Sequence, residues 1–289
     1  MVTCVLAYLR DKDYLESDNI FIKEYNFQTL LFLSLIPFLA ILGSYLLNFY
    51  NINFVLMFLI ILIALIPFLI AFDKIPKKLY PLAVFVIALS LLYQNSLISN
   101  YLTGYDVQIE YYFSNLVYLS GYWNSNIISD NVNSILSIPI LVPTFAILCK
   151  INVTWILKAI YPFIFSFAPL GLYALFKKQT NAKIAFFSCF FLTSVFGFYT
   201  LMPQLARQEI GELFIVLVLM IILDRNITNI KNSFLLIVFS FSLIVSHYTL
   251  SYIFTLILIL ALFISFIFQK NVFSLVPLHI KFFRIQCNC

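Results

Sequence analysis

The stretch INFVLMFLIILIALIPFLIAF, residues 52–72, decides the fold class because it contains no charged side chain. Crossing the hydrocarbon core of a bilayer as a helix takes about 20 apolar residues, and this stretch is that long. Similar runs recur on both sides of it, and the chain is predicted to be an all-α, polytopic integral membrane bundle of about eight spans. The predicted spans are Leu30–Phe49, Ile52–Phe72, Leu79–Ile98, Thr154–Phe176, Ile184–Thr200, Pro203–Leu223, Ser233–Ser246 and Ser251–Phe268.

The composition points to the same environment. Of the 289 residues, 63% are hydrophobic and 10% are charged, whereas soluble domains are roughly 25% charged. The lipid bilayer is therefore the expected partner. The 17 Lys and Arg residues are dispersed at the ends of apolar runs, where they anchor spans and set orientation. The net charge of +5 consequently predicts no nucleic-acid partner.

The N-terminal segment does not have the order of a secretory signal, because apolar Val2–Leu9 precedes the mixed-charge residues 10–24. We expect the first span to insert without cleavage. The predicted organisation is a cytoplasmic segment at 1–28, a transmembrane domain at 29–268 and a cytoplasmic tail at 269–289 in the cell membrane.

A further apolar piece, Ser134–Leu148, determines the sidedness of everything after it. It is short for a span and contains Pro139 and Pro143, which interrupt helical hydrogen bonding. Excluding it as a span places nearly all short Lys-rich loops on one side, as the positive-inside rule requires. We therefore predict that 134–148 is an interfacial or re-entrant helix and that both termini are cytoplasmic.

This topology collects the reactive side chains on the outer face. The long loop at residues 99–133 lies outside and contains Asp106, Glu110 and Asp130 but no Lys or Arg. The short outer segments at 201–212 and 246–251 add Arg207 and His247.

The outer loop contains GYDVQIEYYFSN at residues 104–115. Asp106 is predicted to cap the helix that comes after it, and Glu110 lies one turn later on the same face. Two such carboxylates can hold a divalent cation, or one can act as a base that the other orients. The alternative is an amphipathic helix on the membrane surface with an aromatic belt.

A second motif, PQLARQEIGE at residues 203–212, opens the span Pro203–Leu223. Proline suits the first turn of a helix, and an arginine at this depth requires an anionic partner. The sequence leaves two partners for Arg207: a lipid phosphate, or a carboxylate such as Glu209 or Glu212. His247 ends the next span, where an interfacial role is the alternative to ligand binding.

Five stretches resemble a family of archaeal multi-pass membrane proteins of uncharacterised function. That family in turn resembles the GT-C glycosyltransferases, which use lipid-phosphate sugars. Members of the archaeal family are longer, so the chain resembles a truncated member. The stretches that carry the likeness are GYDVQIEYYFSNLV (104–117), NVNSILS (131–137), KKQTNAKIAF (177–186), ARQEIGELF (206–214) and SHYTLSY (246–252).

The resemblance implies an enzyme that transfers sugar from a polyprenyl-phosphate donor at the outer face. Asp106 and Glu110 would be its acidic catalytic motif, with a divalent cation as an optional cofactor bound by the same pair. Arg207 and His247 would neutralise the departing phosphate, as preorganised cations do. Tyr112 and Trp123 would stack on sugar.

Two other functions stay open at this point. A transporter or flippase would need polar groups near the bilayer midplane and repeated broken helices. A non-catalytic membrane protein is the second alternative. The nucleotide-binding, metalloprotease and serine-hydrolase motifs GxxxxGK[ST], GxGxxG, HExxH and GxSxG are absent from the sequence.

The predicted topology is testable by labelling single cysteines with a membrane-impermeant reagent. A cysteine at Asn126 should react in intact cells, and one at Gln179 should react only after lysis. Labelling at Gln179 in intact cells would contradict the arrangement of eight spans.

Overall fold

The computed structural model describes residues 27–124, 131–223 and 230–268, and the described part of the chain is helical without strands. The predicted N-terminal segment up to residue 26, the tail from 269, Asp130 and the labelling position Asn126 lie outside these residues. Ten helices occur in the described ranges: α1 (Phe27–Tyr50), α2 (Phe54–Ala71), α3 (Tyr80–Ser96), α4 (Tyr105–Ser120), α5 (Leu141–Cys149), α6 (Val153–Gln179), α7 (Ala182–Ser194), α8 (Ala206–Ile222), α9 (Ile230–Ser246) and α10 (Tyr248–Phe268).

Four of these helices are long and apolar enough to cross a membrane: α1, α2, α6, and α3 with the 3-10 turn Lys77–Leu79 before it. A fifth span results if α7 and the helical turns Gly197–Gln204, which are bent by 56° relative to it, are taken together. The prediction of an all-α membrane protein is therefore confirmed at this level. The predicted span Ile184–Thr200 is bent within its length, because the α-helix ends at Ser194.

α2 shows why these helices need an apolar environment on most sides. Its buried residues recur every three or four positions and form one stripe that packs inward. The rest of its surface is also apolar, and Phe54 and Phe68 are exposed. Exposed aromatic side chains of this kind are compatible with lipid contact.

A hydrophobic core lies where α1, α2, α3 and α7 meet. Tyr80 and Phe186 are both fully buried there, with ring centroids 5.8 Å apart. The chain divides into two units, Met1–Leu250 and Ser251–Cys289. The described part of the second unit is the continuation of α10, in which Thr255 donates a hydrogen bond to the Ser251 carbonyl.

Among the described residues of the first unit, two π-helical turns occur, at Ile156–Ile160 within α6 and at Gly197–Leu201 after α7. The C-terminal end of α3 binds both of them. Tyr93 donates to the Ala159 carbonyl at 3.2 Å, and the Asn95 amide donates to the Tyr199 carbonyl at 2.8 Å. The wider turns are thus fixed by side chains from one neighbouring helix.

Three local expectations from the sequence were wrong. Helix α4 is capped by Gly104, and Asp106 lies inside its first turn without a capping bond. Pro203 belongs to a separate 3-10 turn, Met202–Gln204, and α8 begins only at Ala206. Within 134–148 the α-helix begins only at Leu141, and residues 136–140 form turns before it.

Packing between α6 and α8 depends on a glycine. A Cβ on Gly171 would lie 2.6 Å from Val216 Cγ1 and 3.2 Å from Met220 Sδ, whereas a Cβ on Gly197 would meet no atom within 4 Å. Gly171→Ala should therefore lower the free energy of unfolding by about 1–3 kcal/mol through overpacking. Gly197→Ala, the matched control, should change it by less than about 1 kcal/mol. Thermal unfolding in detergent measures both, and equal effects would contradict this packing.

Candidate functional site

The N-terminal turns of α4 and α8 meet, although 97 positions separate the residues that join them. The turn before α4 is set by Gly104, whose φ of +117° is a conformation that side chains disfavour. A Cβ there would also lie 2.7 Å from the Cβ of Gln204. Glycine thus lets the backbone before α4 approach the turn before α8.

Glu110 caps α8 from outside that helix. Its Oε2 accepts from the Ala206 N–H at 2.9 Å, and its Oε1 accepts from the Arg207 N–H at 3.3 Å. The first N–H groups of a helix lack partners within the helix and carry a partial positive charge. A carboxylate here satisfies both needs, which explains how Glu110 can be fully buried.

Arg207 binds the second carboxylate as well. Its Nη2 donates to Asp106 Oδ2 at 2.6 Å, while its Nε lies 3.6 Å from Glu110 Oε1. Because Asp106 and Glu110 are four residues apart, they lie on one face of α4 and both reach the same guanidinium. We call Asp106, Glu110 and Arg207 the ionic cluster.

Exposure differs within the ionic cluster. The side chain of Glu110 is fully buried, that of Arg207 is 18% exposed and that of Asp106 is 34% exposed. Burial raises the pKa of Glu110 to about 8, against the opposing effect of Arg207 and the two N–H donors. Asp106 and Arg207 are accordingly the members that a ligand can reach.

His247 lies beside this cluster and precedes α10. Its Nδ1 accepts from the Leu250 N–H at 3.3 Å, so the neutral ring carries its proton on Nε2. Burial and the charge of Arg207 both lower the pKa of His247. A Cβ on Gly211 would lie 3.1 Å from the His247 Cβ, so this glycine allows the close approach of α8.

The carboxylates that the sequence offered as partners for Arg207 have other surroundings. Glu212 accepts from the Gln208 amide at 2.9 Å. Glu209 is fully buried, and neither of its carboxylate oxygens has a hydrogen-bond partner among the described residues. The carboxylate partners of Arg207 are Asp106 and Glu110 instead.

Three residues near these elements were not singled out from the sequence. Tyr161 is fully buried and donates to the Ser137 carbonyl, while the Ser137 hydroxyl donates to the Ser246 carbonyl at 3.1 Å. Lys158 is buried and donates to the carbonyls of Ser99 and Tyr101. Lys158 could have been noticed in the sequence as a charge inside an otherwise apolar run. No sequence pattern marked the hydroxyl groups of Tyr161 and Ser137.

The predicted sugar-stacking aromatics occupy other positions. Tyr112 is exposed and lies two residues after Glu110, so it points away from the face of α4 that carries the cluster. Its ring packs edge-on against Phe113 at 5.4 Å. Trp123 lies beyond the end of α4, and its indole N–H donates to the Asn133 carbonyl at 3.0 Å.

The residues of the cluster do not fit a divalent cation. Both Glu110 oxygens accept backbone N–H groups, and Asp106 Oδ2 is bound to Arg207. Within the described ranges no three His, Cys, Asp or Glu side chains come together as metal ligands. The arginine occupies the place that the expected cation would need.

The class defined by the described residues is a helical membrane protein with a partly buried ionic cluster between two helix N-termini. No family model, curated protein or solved structure matches the chain.

Removing Arg207 should destabilise the protein. Above pH 8, where Glu110 is ionised, Arg207→Gln leaves this buried carboxylate without its cationic partner, and loss of one partner of a buried pair costs about 3–5 kcal/mol. The matched control is Lys183→Gln, which breaks the 3.0 Å pair with Asp73 between partly exposed side chains and should cost at most about 1 kcal/mol. Equal losses of unfolding free energy in detergent would show that the ionic cluster stabilises the protein no more than the partly exposed Lys183–Asp73 pair does.

Proposed function

We propose that the chain is a membrane glycosyltransferase-like protein that transfers sugar from a polyprenyl-phosphate donor at the outer membrane face. The observation that carries this proposal is the 2.6 Å bond between Asp106 and Arg207. It places a carboxylate that can accept a proton next to a guanidinium that can bind phosphate, and both side chains are partly exposed. A general base can accept the proton of an acceptor hydroxyl, and an arginine can bind the phosphate of a lipid-linked donor.

The topology in this proposal has eight spans and two cytoplasmic termini. Five are the four long helices and the bent pair that begins with α7; α8, α9 and α10 complete the set. The ionic cluster then lies on the side opposite the Lys-rich loops, at the level of the lipid headgroups. A polyprenyl phosphate within the bilayer can present its phosphate at that depth.

The exposed members of the cluster act directly in the proposed reaction. Asp106 accepts the proton of the acceptor hydroxyl as the acceptor oxygen bonds to the anomeric carbon of the donor. The bond from that carbon to the phosphate oxygen breaks, and its electrons remain on the lipid phosphate. Arg207 neutralises this negative charge, and the Nε2–H of His247 offers a further hydrogen bond.

Glu110 has a positioning role in this scheme. It is fully buried and uses both oxygens to cap α8. Its carboxylate fixes Arg207 at the start of that helix, which keeps the guanidinium next to Asp106.

A transporter or flippase is the second candidate, and a specific feature favours it. One predicted span is broken by the 56° bend after Ser194, and the π turn Ile156–Ile160 locally widens another. Broken helices of this kind form substrate sites in many transporters.

Asp106→Asn tests the reaction and separates the two candidates. In proteoliposomes supplied with a radiolabelled polyprenyl-phosphate sugar and free sugar acceptors, glycosidic product should fall by about 10²–10⁴-fold, because the base is lost. Asp73→Asn, which alters an exposed carboxylate of the Lys183 pair, should retain full transfer. Movement of labelled lipid across the membrane without any glycosidic product from the wild type would favour the transporter instead.

A further inference from the structure

The carboxyl group of Glu209 is unusual among the buried groups of this protein. It lies in the first turn of α8, is fully buried, and has no hydrogen-bond partner on either oxygen within the described residues. A buried ionised carboxylate without a partner is strongly unfavourable. The neighbouring acidic residues Asp106, Glu110 and Glu212 each accept at least one hydrogen bond.

Other titratable groups lie close to Glu209. From α4, the Glu110 carboxylate is close enough for its charge to act on Glu209, and Glu212 acts on it from the next turn of α8. From α6, the Tyr161 hydroxyl is nearby but donates its hydrogen to the Ser137 carbonyl. Arg207, the nearest cation along the chain, is bound to Asp106 and Glu110, and the Nδ1 of His247 accepts from the Leu250 N–H.

The charges of the region do not balance when all carboxyl groups are ionised. Asp106, Glu110, Glu209 and Glu212 would carry four negative charges against the single positive charge of Arg207. The ligand that corrects the imbalance must reach a site closed to solvent. A metal cation needs several oxygen ligands, and the described residues offer no group of three ligating side chains. A proton needs only one oxygen.

We infer that Glu209 is a proton-binding site, occupied at neutral pH and buried behind the ionic cluster. The bound proton removes one negative charge from the neighbourhood of Glu110 and Arg207. Neither the proton nor its site depends on the glycosyl transfer proposed above.

Infrared spectroscopy of the protein purified in a detergent without ester or carboxyl groups tests this inference. A protonated carboxyl group has a C=O stretching band that is separate from the carboxylate and amide bands. At pH 9, above the pKa of about 8 for Glu110, we expect one such band from Glu209 in the wild type. Glu209→Gln should abolish it, and the matched control Glu212→Gln should retain it.

Two results would overturn the inference: no carboxyl band at pH 9 in the wild type, or a band that survives in Glu209→Gln. If the band survives in Glu209→Gln, the variant Glu110→Gln tests whether the proton is on Glu110. Loss of the band in Glu110→Gln alone would place the proton there.

Should Glu209→Gln fail to fold, the wild type provides an independent measurement. A hydrophobic carbodiimide adds to protonated carboxyl groups, and peptide mass spectrometry at pH 9 should locate the adduct on Glu209. An adduct on Glu110 instead, or on no carboxyl group, would contradict the assignment.

Discussion

The carboxylate of Glu110 at the N-terminus of α8 is the interaction on which the rest of the site depends. The first N–H groups of a helix need acceptors, and here the acceptor comes from another helix, with bonds of 2.9 Å and 3.3 Å. Because both oxygens are used in this way, the position of α4 relative to α8 is fixed. Arg207, Asp106 and the approach of His247 all depend on that junction.

The turn at Gly104 and the hydrogen bonds of Lys158 hold the backbone before α4 in position at this junction. Gly104 turns the chain so that α4 starts against Gln204. Lys158 holds the carbonyls of Ser99 and Tyr101, which precede that turn. A lysine without access to water is costly unless its N–H groups are bonded, so Lys158 and the backbone of residues 99–101 hold each other in place.

The sequence predicted the helices better than the contacts between them. Apolar length alone located α1, α2, α3 and α6 to within a few residues, because a span must match the thickness of the bilayer. The bend after Ser194 was missed, since the residues on both sides of it are equally apolar. The start of α8 was placed too early, because Pro203 suits a 3-10 turn as well as an α-helix.

The site could be predicted only in part. The i, i+4 spacing of Asp106 and Glu110 correctly placed them on one face, but nothing in the sequence paired that face with Arg207, which lies about 100 positions later along the chain. The carboxylates adjacent to Arg207 in sequence were the obvious partners. Helix geometry turned Glu209 into the protein instead, which no local pattern reveals.

The π turn at Ile156–Ile160 has a consequence for how this chain can tolerate change in length. Such a turn holds one residue more than the α-helical turn it replaces. Deleting a single residue there would convert it to an α-helical turn and leave the parts of α6 on either side in nearly the same relative orientation. The change would fall on the wide turn itself, which contains Lys158. A one-residue deletion would therefore act on the loop that leads to Asp106, through the carbonyls of Ser99 and Tyr101.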